Sequence, residues 1–126
     1  MKKKFQGVVV PMITPLCSDL SIDTQAVARI MQSFAANQIS PLVLGTTGES
    51  ASVGPKESLR FMQAAVDSKS EGQMVYAGLV GNDVKALISL ANEYAAMGVD
   101  AVVATLPAYY ILTPEQMKAF YLRLAD

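Results

Sequence analysis

The 126 residues contain no histidine and a single cysteine, Cys17. Without imidazole there is no histidine general base, and one thiol can build neither an intrachain disulfide nor the usual zinc sets. No metal or cofactor is expected, Cys17 reads as an inert small residue, and a reducing cytoplasmic setting fits best. Net charge is nearly absent too. Ten Lys and Arg against eleven Asp and Glu leave a formal charge of -1, so no global positive field recruits DNA or RNA. The run Lys2 to Lys4 has no interleaved aromatics and no second basic patch, which marks a solvated tail rather than a nucleic-acid or lipid site. No uninterrupted apolar run reaches the roughly 18 residues of a membrane helix. The stretch Phe5 to Leu16 after those lysines imitates a signal peptide, but Gln6, Pro11 and Pro15 interrupt it and no small-residue cleavage site follows. It reads as a lysine-flanked first strand.

What is present is apolar material, 52% of the chain, ample for one core in a single domain spanning residues 1–126. Four times, a short β-branched or apolar run ends in Gly, Pro or Thr and gives way to a capped segment of helical period, the pattern of a βα unit. The predicted strands are Val8 to Ile13, Leu42 to Leu44, Met74 to Ala77 and Ala101 to Thr105, starting about 30 residues apart, as βα units do. That organisation implies an α/β fold with a parallel sheet and helical crossovers.

The first helix is expected near Asp23, with Val27, Ile30, Met31 and Phe34 inward and a stop at Asn37. Gly54-Pro55 opens the second, where proline's missing N–H costs nothing and Glu57 complements the helix dipole. The third takes Asn82 as N-cap, turns Val84, Leu87, Ile88, Ala91 and Ala95 inward, and stops at Gly98. Thr113-Pro114-Glu115-Gln116 is a capping box for the fourth, with Met117, Phe120, Tyr121 and Leu124 on one face. The methionines fall at core-like spacings and read as filler. No fifth strand follows within the 126 residues.

Chemistry concentrates in Leu42-Val43-Leu44-Gly45-Thr46-Thr47-Gly48-Glu49-Ser50, where an apolar strand breaks into a Gly/Thr turn at its C-terminal end. Parallel α/β folds bind ligands there. Two glycines allow close backbone approach to a ligand, and the N–H groups and hydroxyls of Thr46 and Thr47 can together hold a small carboxylate of α-keto acid size. Glu49 is expected to bond loop backbone rather than act as an acid. On spacing alone, a tight turn that merely positions a helix explains the motif equally well. Tyr109 and Tyr110, after the fourth strand, read locally as ordinary loop aromatics.

The segment GTTGES, preceded by a strand and followed by Pro55-Lys56-Glu57 at a helix start, is similar to the hallmark of the dihydrodipicolinate synthase/N-acetylneuraminate lyase family. The likeness extends to Phe5 through Leu16 as a first strand with its Thr-Pro turn, to Tyr76-Ala77-Gly78 as a third strand, and to Leu106-Pro107-Ala108-Tyr109-Tyr110 as a Pro-x-Tyr segment. It covers essentially all of this chain but about half of a (β/α)8 barrel, which typically takes roughly 250 residues. The resemblance therefore implies a (βα)4 half of a TIM barrel and, for the parent, a cofactor-free lyase working through a pyruvate imine.

The same resemblance implies roles for particular residues. Thr46 becomes a hydroxyl in a proton relay, and Thr46 with Thr47 the cradle for a keto-acid carboxylate. Tyr109 becomes the tyrosine that in many members reaches a neighbouring subunit's active site. Ala108 stands where an aromatic residue is more frequent, and a slip of one position would give the role to Tyr110. The family's imine-forming lysine and second tyrosine belong to its sixth and fifth strands. No lysine here replaces the first, since Lys2 to Lys4, Lys56, Lys69, Lys85 and Lys118 fall at the terminus, on helices or in a turn. The expectation for the isolated chain is thus an inactive half that binds pyruvate weakly and self-associates as a homodimer or larger homo-oligomer. The alternative is a (βα)4 module that assembles and binds a small carboxylate without turnover.

Overall fold

Side-chain caps decide where the helices begin. In a computed structural model describing residues 5–126, the Asp23 carboxylate accepts from the Ala26 N–H at 2.9 Å and starts α1 (Thr24–Ala36). Gly54-Pro55 starts α2 (Pro55–Asp67). Thr113 and Gln116 close a reciprocal box at the head of α4 (Pro114–Ala125), with bonds of 3.3 and 2.8 Å. α3 (Val84–Met97) stops at Gly98, whose φ of +99° an L side chain rarely adopts. Its N-cap differs from expectation. Asp83 rather than Asn82 accepts from the Lys85 and Ala86 N–H groups, which leaves the Asn82 amide for another task.

The strands are β1 (Val8–Pro11), β2 (Ile39–Val43), β3 (Tyr76–Leu79) and β4 (Ala101–Ala104), all parallel and hydrogen-bonded in sequence order. β2 begins earlier than Leu42 because Ile39, Ser40 and Pro41 pair with β1; its ladder to β3 starts at Leu42, just past the proline that has no N–H to give. β3 lies slightly later than expected, and β1 ends at Pro11 rather than Ile13. Consecutive parallel strands joined by right-handed crossovers place every helix on one face of the sheet, and neighbouring helices pack side by side there.

The core lies between that helix layer and the sheet. Val27 and Met31 of α1, Phe61, Met62 and Ala65 of α2, Leu87 and Tyr94 of α3 and Phe120 of α4 close over Met12, Val43, Val75, Ala77 and Leu79. On α3 the inward face is rotated from the expected one: Tyr94 is buried, whereas Ile88 and Ala95 are exposed. On α4, Tyr121 is likewise exposed. At the N-terminal end of the sheet, the Asp100 carboxylate joins Lys69 at 2.9 Å and the Val75 N–H at 2.9 Å, tying the end of α2 to the starts of β3 and β4.

Among the described residues no helix covers the other sheet face. Val9 and Ile13 are exposed, and Val102 and Val103, which point to opposite faces of β4, are 43% and 42% exposed because β4 is a sheet edge. Lys2 to Lys4 lie outside the described residues. Among the described residues no helix is long and apolar enough to cross a membrane.

Candidate functional site

The turn after β2 is held in place from both neighbouring strands. Leu44 leaves the sheet with a φ of +58°, and its carbonyl passes directly over β3. A Cβ on Gly78 would stand 2.1 Å from the Leu44 oxygen and 2.6 Å from its carbon. On the β1 side, the Thr14 hydroxyl donates to the Gly48 carbonyl, and a Cβ on Gly48 would meet the Met12 oxygen at 3.1 Å and Thr14 Oγ1 at 3.2 Å. Gly48 therefore allows close approach of the turn on the β1 side, and Gly78 on the β3 side. Gly45 and Gly48 are both buried.

The turn closes on itself through the Glu49 N–H to the Thr46 carbonyl at 3.0 Å. Glu49 has a φ of +51° and leads into a 3-10 turn over Ser50–Ser52. Contrary to expectation, its side chain bonds no loop backbone among the described residues; the carboxylate that does so is Glu57, which accepts from the Ile22 N–H at 2.7 Å and holds the loop between β1 and α1 against the head of α2. Thr46 and Thr47 are exposed between the two buried glycines. Among the described residues neither hydroxyl has a protein hydrogen-bond partner, so both are available at the C-terminal end of the sheet.

The second candidate loop follows β4. The Thr105 N–H still bonds the Leu79 carbonyl at 3.1 Å, Leu106 and Pro107 are half-buried, and Ala108 is held by Asn82. The Asn82 Oδ1 accepts from the Ala108 N–H at 2.9 Å while its Nδ2 donates to the Ala108 carbonyl at 3.2 Å. Tyr109 then takes a φ of +80°. Its ring is 90% exposed and meets that of Tyr110 edge-on, centroids 5.0 Å apart. Ile111 beyond them is fully exposed.

The two loops share one end of the sheet but are separated by β3. No hydrogen bond or ring contact joins Thr46 or Thr47 to Tyr109 or Tyr110 among the described residues. Of the described lysines, Lys56, Lys85 and Lys118 are exposed on helices, and Lys69 is engaged with Asp100. No described strand carries a lysine. Sequence reasoning gave no site role to Thr14, Gly78 or Asn82, although it read them as part of a Thr-Pro turn, a strand segment and an N-cap. Tyr94 is also new, its hydroxyl pushed up to about 12 by burial and, secondarily, by the Glu93 charge.

Four parallel βα units in chain order, with a hydroxyl-bearing turn and an aromatic loop at the strands' C-terminal end, define half of a (β/α)8 barrel. More narrowly, the chain belongs to the dihydrodipicolinate synthetase family, whose model matches residues 4–126.

Among individual proteins it is 33% identical to the 4-hydroxy-tetrahydrodipicolinate synthase of a Nitratiruptor species, over 98% of this chain and 42% of that one. A crystal structure of dihydrodipicolinate synthase from Aquifex aeolicus superposes with a TM-score of 0.83 at 28% identity, covering 94% of this chain and 40% of that one. A prophage protein of the dihydrodipicolinic acid synthase family from E. coli K12, solved in complex with pyruvate, shares the fold with a TM-score of 0.90 at 22% identity, over 97% of this chain and 41% of that one. The chain thus spans about two-fifths of the length of the relatives it matches.

Proposed function

We propose that this chain provides the carboxylate-cradling half of a carbon–carbon lyase that works through a pyruvate imine, and that it cannot form the imine by itself. The observation that carries this reading is the pair of exposed, unpartnered hydroxyls of Thr46 and Thr47 on a turn fixed by Thr14, Gly48 and Gly78. Two hydroxyls and the neighbouring N–H groups suit the two oxygens of a small carboxylate. The E. coli K12 prophage protein that shares the fold holds pyruvate. In this reading Thr46 also serves as a relay hydroxyl, and Tyr109 carries the proton relay on towards a neighbouring subunit.

Imine formation needs an amine that is partly neutral near pH 7, which takes burial or a cationic neighbour. Lys56, Lys85 and Lys118 are exposed to water, and Lys69 is paired with a carboxylate. The lysine of the reaction would come from a sixth strand, which these residues do not contain. Residues 1–126 act as one folding unit that self-associates, in a reducing cytoplasmic setting. That lack also favours a second reading, a self-assembling (βα)4 module that binds a small carboxylate without turnover.

Titration of the labelled chain with pyruvate tests the cradle. Millimolar binding, on the order of −4 kcal/mol, should shift amides from Gly45 to Glu49, and Thr46→Val with Thr47→Val should weaken it about tenfold or more. Shifts elsewhere, or none at high millimolar pyruvate, would leave the turn with only a structural role.

A further inference from the structure

The sharpest unexplained feature outside the threonine turn is the backbone of Tyr109. A bulky, non-glycine residue in the left-handed region is rare, and such a conformation persists only where its surroundings over-determine it. Burial does not hold it, because the residue is 90% exposed and its one ring–ring contact among the described residues is with Tyr110. What does hold the segment is one side chain from the loop between β3 and α3. The Asn82 amide engages both the N–H and the C=O of Ala108. Those two groups belong to successive peptide planes, so a single amide fixes the orientation of the peptide before Ala108 and of the one that leads into Tyr109.

From the other side, the Thr113 and Gln116 capping box fixes the start of α4 only a few residues later. The intervening backbone must turn sharply between two anchors, and it does so at Tyr109. We infer that Asn82 is a positioning residue for Tyr109, setting the backbone conformation that projects this tyrosine away from the sheet end. The functional meaning of that projection rests on the relay role proposed above; the conformational coupling does not. The chemistry singles out asparagine. Aspartate keeps the acceptor but loses the donor, and alanine loses both. Because Asp83 caps α3, replacing Asn82 leaves the helix start intact.

The test uses the full chain, labelled with 15N and 13C and free of pyruvate, so that a failure of the binding proposal cannot mask it. In Asn82→Ala, exchange of the Ala108 amide should accelerate about tenfold or more while β3 amides keep their protection. The Tyr109 Cα and Cβ shifts should leave the range of positive φ. Asn82→Asp, which retains the acceptor, should restore Ala108 protection to within about threefold of the parent. A Tyr109 that keeps its left-handed shifts in Asn82→Ala would overturn the inference, as would Asn82→Asp exchanging as fast as Asn82→Ala.

Discussion

A side chain on Gly78 has no room, since its Cβ would lie inside the contact distance of the Leu44 carbonyl, which is backbone and cannot rotate away. Gly78→Ala must push the turn after β2 off the sheet, with a cost of about 2–4 kcal/mol expected from overpacking and strain. Chemical denaturation should read that loss, and amides of Gly45 to Glu49 should shift more than those of β4. At this scale sequence was a good guide to what the turn displays and a poor one to how it is built. Thr46 and Thr47 are legible because a strand breaks next to them. The positive φ values of the turn fall on Leu44 and Glu49, not on its two glycines. Asn82 and Asp83 are both capping types, and the choice between them is made by Ala108, which is 26 residues away from Asn82 in sequence.

Elements bounded by local chemistry were the most readable. Asp23, Pro55, Gly98 and the Thr113 box mark helix ends through bonds within a few residues, so α1, α2 and α4 begin where expected. Strand limits depend on partners distant in sequence. β2 extends back to Ile39 through Pro41, a residue that argues against a central strand until its ladder to β1 is seen. On α3 the expected Val84, Leu87 and Ala91 do face the core, but apolar residues surround much of the helix and only tertiary packing selects Tyr94 over Ile88 and Ala95 as buried. That burial has a consequence at high pH. The Tyr94 phenol ionises at about 12 in the folded chain against an ordinary value of 10.0, so its contribution is complete below pH 10 and is lost as pH rises through 12. Between those values the unfolded state ionises while the folded state stays neutral, which lowers stability by on the order of 2–3 kcal/mol. Tyr94→Phe should show a flatter decline of stability from pH 10 to 12; an identical slope would place the phenol in contact with solvent.

As a whole molecule, the chain presents features that a closed barrel conceals. Among the described residues β1 and β4 are unpaired at their outer edges, and Val9, Ile13, Val102 and Val103 are exposed. Unpaired strand edges and contiguous apolar surface favour association. At about 25 cal/mol per Å², burying several hundred Å² supplies on the order of 10 kcal/mol towards the entropic cost of association. Light scattering at micromolar concentration should therefore find a homodimer or larger assembly, and a stable monomer would contradict this.

The repeat of four βα units was readable at this scale because each unit carries its own periodicity. The open sheet face was foreseeable only through the family resemblance. If the turn cradles a keto acid as proposed and no lysine is placed to trap it, the chain should bind pyruvate yet form no imine, and intact mass after incubation with pyruvate and borohydride tests this most directly. The predicted result is an unmodified chain, with the turn from Gly45 to Glu49 still responding to pyruvate. A stoichiometric pyruvyl adduct mapped to a single lysine would contradict it.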